Sequence, residues 1–213
     1  MDQSKKNQFG WIWFVRKMSH RLYHTEAFVL QHRPRGEDSK LLYLFTADFG
    51  LILVVAQGVR KLGSKMRANI TDYSFGDYSL VRGREFWRLV SAQKRNDFSA
   101  TFSSPKKRLI AGNVFRLLMV LTGEEESQEI FEDLKQAFGW LSQIAEDDKL
   151  VSVIERMLVL RLLSHLGYLK SDPIWLGLVA GDWTREKLAT LMAPPLNRDS
   201  TIFINKMLRD LHW

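Results

Sequence analysis

The chain has 213 residues, no cysteine, and 31 Lys and Arg against 24 Asp and Glu, with an isoelectric point near 9.7. This length fits one large domain or two small ones, and the missing cysteines exclude disulfides, thiol nucleophiles and Cys-ligated zinc. The basic balance favours nucleic acid or an anionic membrane surface as a partner, and the lack of cysteine fits a cytoplasmic location.

Residues 1–20 are first polar and then aromatic, with no sustained periodicity. They are predicted to be an extension that is disordered or packs loosely on the folded part. Trp11, Trp13 and Phe14 offer an interfacial membrane anchor as the alternative, but the apolar run 11–15 is far too short to span a bilayer. We therefore predict no membrane partner.

Five short strands are predicted in the amino-terminal domain, which we place at residues 21–102. The predicted strands are Thr25–Gln31, Leu41–Thr46, Leu51–Ala56, about Ile70–Val81 and Phe86 to about Asn96. Gly76 inside the fourth strand predicts a bulge or sharp bend. Five strands in about 80 residues, with one long internal loop at 57–67, predict a small barrel of the OB type. Its interior is predicted to contain Phe28, Leu42, Leu44, Val54, Tyr78 and Leu80.

A helical domain is predicted for residues 103–213. Ser104 followed by Pro105 is a typical helix start, and Gly123 is a plausible stop. Four further helices are predicted at Ser127–Ala145, Lys149–Leu166, Thr184–Met192 and Ser200–His212, with 171–199 as the least regular part. The predicted fold class is therefore α+β, with a five-stranded OB-type barrel followed by an all-α domain.

The positive charge is concentrated in the first domain. Residues 1–108 contain 20 Lys and Arg against nine Asp and Glu, whereas residues 109–213 contain 11 against 15. Cationic loops on a rigid barrel suit phosphate binding, and a solvated basic surface is the alternative interpretation. The candidate DNA-binding residues are Arg33, Arg35, Lys40, Arg60, Lys61, Lys65, Arg67, Arg82, Arg84 and Arg88. The basic run 106–108 opposes the dipole of its helix, so a polyanion or simple solvation is expected there.

Catalytic and metal-binding signatures are missing from the sequence. His20 and His24 lack a carboxylate that completes a ligand set, and His165 is predicted to be a buried, hydrogen-bonded core residue. There is no Gly-rich phosphate loop, nucleophile elbow or paired-carboxylate spacing. We therefore predict no enzyme activity, no cofactor and no metal.

Thr25–Val59 begins with T-E-A and continues with a set of spaced positions that occur together in one protein family. These positions are Arg33, Gly36, Glu37, Lys40, Leu44, Phe45, Thr46, Gly50, Leu51, Ala56 and Gly58. The stretch resembles the amino-terminal OB domain of the RecO family of bacterial recombination mediators and DNA-repair proteins. Arg161–Tyr168, which reads R-L-L-S-H-L-G-Y, and Ile204–Lys206 with Leu208 resemble the second half of that family more loosely.

The resemblance implies binding of single- and double-stranded DNA, annealing of complementary strands, and help in loading recombinase onto strands coated by single-strand-binding protein. It also implies two partners, RecR and the acidic carboxy-terminal tail of the single-strand-binding protein. Such a tail needs an apolar groove edged by cations on the helical half, where Arg116, Arg156 and Arg161 are candidates. Arginines at the edge of the core that extend to solvent are the alternative interpretation.

Two features depart from the family pattern. Many members carry a four-cysteine zinc module after the L-G-Y segment, and here Ser171–Ser200 occupies that place with prolines and tryptophans. The 1–20 extension also differs from the usual start. An OB-fold RNA-binding accessory factor is the alternative function, since nothing in the sequence distinguishes the two nucleic acids. An enzyme with a basic surface is a third hypothesis, for which no catalytic residues are found.

Overall fold

The computed structural model describes residues 21–95, 97–125, 127–169 and 173–211, and there the chain forms five strands followed by seven helices. The strands are β1 Leu22–Arg35, β2 Ser39–Thr46, β3 Gly50–Ala56, β4 Phe75–Val81 and β5 Trp87–Arg95. The helices are α1 Ser99–Ser103, α2 Pro105–Leu121, α3 Gln128–Gln143, α4 Leu150–His165, α5 Pro173–Val179, α6 Arg185–Met192 and α7 Leu196–Asp210. The extension predicted at 1–20 lies outside the described residues.

The five strands close into a barrel in the order β1-β2-β3-β5-β4. All pairs are antiparallel except β3 and β5, which meet in parallel through only two residue pairs, Val54 with Trp87 and Val55 with Arg88. Alternation along β3 places every second side chain inside the barrel and leaves the others half-buried on its outer face. The predicted fold class, an OB-type barrel followed by helices, is confirmed.

The barrel interior contains the apolar residues expected from alternation, with one correction. Leu42, Leu44, Val54, Tyr78 and Leu80 form a single interior cluster, as predicted. Phe28 was wrongly predicted there and faces the helices instead. Its neighbours Ala27 and Val29 take the interior positions of β1, because side chains alternate along the strand and the opposite face packs on the helices.

A phenylalanine cluster joins the barrel to the helices. The ring of Phe28 lies 4.7 Å from that of Phe75 and 5.5 Å from those of Phe131 and Phe138, measured between centroids. These rings belong to the same continuous core as the buried faces of α2, α3 and α4. Because aromatic side chains bury large areas in fixed geometry, the barrel and the helices pack as one body.

The strand boundaries differ from the predictions around the loops. β1 continues through Pro34 to Arg35, so the predicted loop at 32–39 shrinks to residues 36–38. Pro34 is tolerated because it lies at the end of its strand. The irregularity expected at Gly76 lies between Ser79 and Leu80. Gly76 itself allows close strand approach, since an added Cβ would lie 2.9 Å from the Cα of Lys94.

Helix starts agree best with the sequence where a capping residue is present. The Ser104 side chain accepts a hydrogen bond from the backbone of Lys107, and Pro105 occupies the first turn, as predicted. The segment expected to be irregular, 171–199, contains two helices, α5 and α6. α5 was missed because its seven residues are too few to show helical periodicity.

Candidate nucleic-acid interface

The outer face of the barrel carries a row of residues that crosses four neighbouring strands. The backbone register pairs Arg33 of β1 with Leu41 of β2, Leu41 with Val55 of β3, and Val55 with Arg88 of β5. Leu41 and Val55 are half-buried, whereas the two arginines are exposed. With strands about 4.8 Å apart, two cations therefore flank an apolar strip at a separation of roughly 14 Å.

A groove of about 760 Å³ lies at one end of this row, where the β1–β2 turn meets the β4–β5 turn. Its walls include Arg35, Arg84, Phe86 and Arg88. The Arg35 guanidinium lies 4.2 Å from the centroid of the Phe86 ring, and Arg33 lies 5.5 Å from that of Tyr43. We call this row and groove together the β face.

The arginines of the β face are not engaged by acidic side chains. Arg33, Arg35, Arg84 and Arg88 have no carboxylate within ion-pair distance among the residues that the structure describes. A cation that stacks on an aromatic ring keeps its charge exposed on the other side. This arrangement can bind phosphates through the arginines and unstacked bases on the rings and the apolar strip.

The β3–β4 loop, residues 57–74, stands beside the β face and carries four of the predicted cations. Arg60 donates hydrogen bonds to the β1–β2 turn, from its backbone to Asp38 at 2.9 Å and from its side chain to Gly36 at 2.8 Å. Lys61 lies 3.4 Å from the Asp38 carboxylate. Lys65 and Arg67 are exposed. The loop thus extends the positive surface from the rim of the groove.

Lys40 lies at the end of β2, close to this loop. Partial burial lowers the pKa of its ammonium, the nearby Asp72 carboxylate opposes the shift, and the charges of Arg67 and Arg60 add to it. Burial is thus the main cause of the lowered pKa, and the smaller contributions show that Lys40 lies near Asp72, Arg67 and Arg60.

Arg82 and Lys107 are placed differently from the other cations. Arg82 forms an ion pair with Glu124 at 2.9 Å, and Glu124 also accepts a hydrogen bond from Trp87. Lys107 is buried and donates to the carbonyl of Ile144 at the end of α3. The solvated or polyanion-binding role expected for Lys107 is therefore wrong, because its charge caps a helix end.

A cleft of about 970 Å³ separates the β face from α2. Arg33 lines it from the barrel side, and Arg108 and Arg116 line it from the helix. Asp72 is the acidic residue in its wall, and this carboxylate already accepts hydrogen bonds from the backbone and the ring of His32. The cleft is therefore net positive and continues the β face toward the helices.

A second groove, of about 700 Å³, lies on the helical side between α2, α4 and α7. Its walls combine apolar residues, Val114, Leu117 and Ile204 among them, with two cations, Arg116 and Arg156, and the acidic Glu155. Burial lowers the pKa of Arg156, and its Nε atom is buried without a hydrogen-bond partner in the described structure. We call this groove the helical groove.

Arg161 does not reach the helical groove. It forms a buried ion pair with Asp133 at 2.7 Å. Asp133 also accepts hydrogen bonds from Trp183 and from His165, both at 2.8 Å. Burial alone raises the pKa of Asp133, but these hydrogen bonds and the Arg161 charge outweigh burial and hold it below its usual value. His165 was predicted to be buried, yet 32% of its side chain is exposed at the end of α4.

The described residues contain neither a metal-binding cluster nor a membrane-spanning helix. Within the described ranges, no group of three or more His, Asp or Glu side chains is placed to hold a metal ion. Among the same residues, none of the helices has the length and apolar character needed to cross a membrane.

Comparison with known proteins places the barrel in a family. Residues 18–97 match the family model described as "Recombination protein O N terminal". The chain is 28% identical over 149 residues to the DNA repair protein RecO of Clostridium novyi. This alignment covers 69% of this chain and 57% of the relative. The barrel of this chain is therefore similar to the amino-terminal part of RecO proteins. The resemblance stated from Thr25–Val59 is thereby confirmed.

Other RecO proteins match to a similar extent. The DNA repair protein RecO of Heliobacterium modesticaldum is 28% identical over 148 residues, or 70% of this chain and 52% of the relative. The DNA repair protein RecO of Clostridium perfringens is 26% identical over 147 residues, which are 69% of this chain and 59% of that relative. The match thus spans little more than half the length of these relatives.

The β face contains residues that the sequence analysis did not select. Leu41 and Val55 form the centre of the row, and Phe86 lines the groove, yet only arginines and lysines were predicted as site residues. Alternation was the available signal, because the half-buried positions of β2 and β3 alternate with buried ones. The pairing that brings Leu41 and Val55 beside Arg33 and Arg88 depends on register, which the sequence did not define.

Proposed function

We propose that this chain is a RecO-family protein that binds DNA through the β face and acts in recombinational DNA repair. The observation that carries this proposal is the row Arg33–Leu41–Val55–Arg88, in which exposed arginines flank an apolar strip on the barrel surface. Phosphates bind the cations with little regard to sequence, and unstacked bases pack on the strip and rings. OB folds use the strand 2–3 face and the loops beside it for this purpose.

Most of the cations predicted from the sequence have a place in this proposal. The proposed phosphate contacts are Arg33, Arg35, Lys40, Arg60, Lys61, Lys65, Arg67, Arg84 and Arg88, with Arg108 added from the cleft. Arg82 is left out because Glu124 already neutralises it.

Strand annealing follows from the same surface. Two polyanions approach each other only when their charges are screened, and a protein that neutralises phosphates lowers this barrier. We propose that the chain anneals complementary strands and helps load recombinase, with RecR as a partner and without a chemical reaction. The relatives are named as DNA repair proteins, which supports the repair context.

The helical groove is proposed to bind the acidic tail of the single-strand-binding protein. The apolar side chains of such a tail would pack on Val114, Leu117 and Ile204, and its carboxylates would pair with Arg116 and Arg156. Arg161 is excluded from this site by its ion pair with Asp133.

The test compares two variants with equal loss of charge. Replacing Arg33, Arg35, Arg84 and Arg88 by alanine should weaken binding of a labelled oligonucleotide and reduce the slope of log K against log salt by up to about 3. The control replaces four exposed cations of the helical domain by alanine, namely Lys149, Arg185, Lys206 and Arg209. If both variants lose the same amount of affinity, net charge alone explains the loss, and the assignment of DNA binding to the β face is wrong.

Strand annealing and competition complete the test. The purified protein should accelerate annealing of complementary strands, both bare and coated with single-strand-binding protein. Matched RNA should compete more weakly than DNA. Stronger competition by RNA would favour the alternative function, an RNA-binding accessory factor.

A further inference from the structure

Leu62 is an apolar side chain held entirely in water. Its relative exposure is 100%, whereas the other large exposed apolar residues in the described ranges reach at most 63%. It lies at the tip of the β3–β4 loop. Exposed leucines are ordinary on protein surfaces when they are partly covered, but a fully exposed one has no role in folding.

The loop that presents Leu62 is fixed at its base. Val59 and Ile70 are 0% exposed inside the barrel, and Met66 packs against the same cluster. Two successive turns form the tip, with backbone hydrogen bonds of 3.2 Å from Lys61 to Gly58 and from Ser64 to Lys61. The leucine is thus held in place before any ligand binds, which reduces the entropy lost on binding.

Cations flank this tip along the loop, and two of them contact the β1–β2 turn. Arg60, Lys61, Lys65 and Arg67 belong to the same loop, and Arg60 contacts Gly36, which lines the groove of the β face. A strand held on the β face therefore passes close to the loop. Apolar residues flanked by cations are what DNA-bending proteins insert between neighbouring bases.

We propose that Leu62 is a wedge that inserts between adjacent bases of DNA whose phosphates contact the basic loop. This inference rests on the proposed DNA-binding function and adds to it a residue that unstacks bases. The cations supply a salt-dependent part of the affinity, and the leucine supplies a part that does not depend on salt. Unstacked bases are also free to meet a complementary strand, which connects the wedge with annealing.

The experiment measures base unstacking and affinity separately. Oligonucleotides containing 2-aminopurine become more fluorescent when the analogue is unstacked, so the unaltered protein should raise their fluorescence. Leu62→Ala should abolish most of this rise and increase Kd about tenfold, with an unchanged salt slope. Leu62→Phe should retain the fluorescence change. Val120→Ala, at another exposed apolar residue on α2, is the matched control and should behave like the unaltered protein.

The outcomes separate the wedge from the proposed function. If the unaltered protein binds the oligonucleotide and Leu62→Ala gives the same fluorescence and Kd, the wedge is wrong and DNA binding stands. If the unaltered protein binds no oligonucleotide, both fail. Binding to phosphatidylserine vesicles that depends on Leu62, with no effect of Leu62→Ala on DNA, would assign the tip to a membrane surface and overturn the proposal.

Discussion

The two sides of the barrel differ in whether their basic residues have acidic partners. On the β face, Arg33, Arg35 and Arg88 are exposed and have no carboxylate partner within the described chain. On the side that meets the helices, cations are engaged: Lys135 pairs with Glu26 at 2.9 Å, and Arg95 pairs with both Glu26 and Asp97. Ligand binding is thus available to one side, while the other holds the two domains together.

This difference shows why net charge is a poor guide to a binding surface: it counts cations that already pair with acids together with cations that are exposed. Partial burial alone raises the pKa of Glu26, but Lys135 and Arg95 outweigh burial and lower it below its usual value. The negative charge of Glu26 is therefore used within the fold. Removing an engaged charge should cost stability and leave DNA affinity unchanged, and removing a cation of the β face should do the reverse.

The largest expected effect of removing an engaged charge is at Asp133, which lies on α3 within the helical part. Asp133→Asn removes the charge that neutralises the buried Arg161, so we expect a loss of about 3–5 kcal/mol in the free energy of unfolding. Urea denaturation measures this loss, and Asp147→Asn, at an exposed acid on the same domain, is the control. The DNA affinity of the folded fraction should not change. If Asp133→Asn instead weakened DNA binding without lowering the free energy of unfolding, this charge would serve binding and not stability.

A smaller loss is expected when the contact between barrel and helices is strained. Gly50 has φ +61°, and a Cβ there would lie 2.7 Å from the carbonyl oxygen of Gly123 and closer still to that of Glu125. Gly50→Ala should cost about 3 kcal/mol, because it adds a backbone clash to left-handed strain. Gly36→Ala is the matched control, since Gly36 has the same φ and open space around it. Equal losses in the two variants would mean that the barrel–helix contact contributes little.

Much of the fold was predictable because local patterns agree with it. Strands β2 and β3 show their alternation and turn, and Ser104 with Pro105 marks the start of α2. The helices α1 and α5 were not predicted, since five and seven residues show no clear period. The orientation of Phe28 toward the helices was also missed. It depends on contacts with residues of α2 and α3 that are about 90 to 110 positions away in sequence.

The sequence predicts which residues of the candidate site are positively charged, but not which of them lie together on one exposed surface. Arg33, Arg35, Arg82 and Lys107 look alike in the sequence, yet two lie on the β face, one pairs with Glu124, and one caps a helix. The partners Glu124 and Ile144 are 42 and 37 positions away in sequence from Arg82 and Lys107. Such separation leaves no local signal, so the sequence cannot distinguish exposed cations from engaged ones.

The barrel interior provides a pH-dependent test that should not involve the β face. Burial raises the pKa of Tyr78 to about 12 from its ordinary 10. A raised pKa in the folded state means that stability is full below pH 10 and falls by about 2–3 kcal/mol as pH rises toward 12. Tyr78→Phe should remove this fall, measured by urea denaturation across that range. Tyr168→Phe, at an exposed tyrosine, should leave the fall in stability unchanged. If the fall persists in Tyr78→Phe, it comes from other titrating groups.

The smallest expected effect lies where an acid partly neutralises the basic loop. Asp38 lies 3.4 Å from Lys61, and both side chains are more than half exposed. Asp38→Asn should free this cation for phosphate, so oligonucleotide binding should tighten about twofold at low salt and the salt slope should steepen by up to about 0.9. Stability should hardly change, because exposed ion pairs contribute little. Asp48→Asn removes the same charge from the exposed β2–β3 turn, which lies outside the β face. If both variants tighten binding equally, long-range charge accounts for the effect, and the loop beside the β face has no special part in holding DNA.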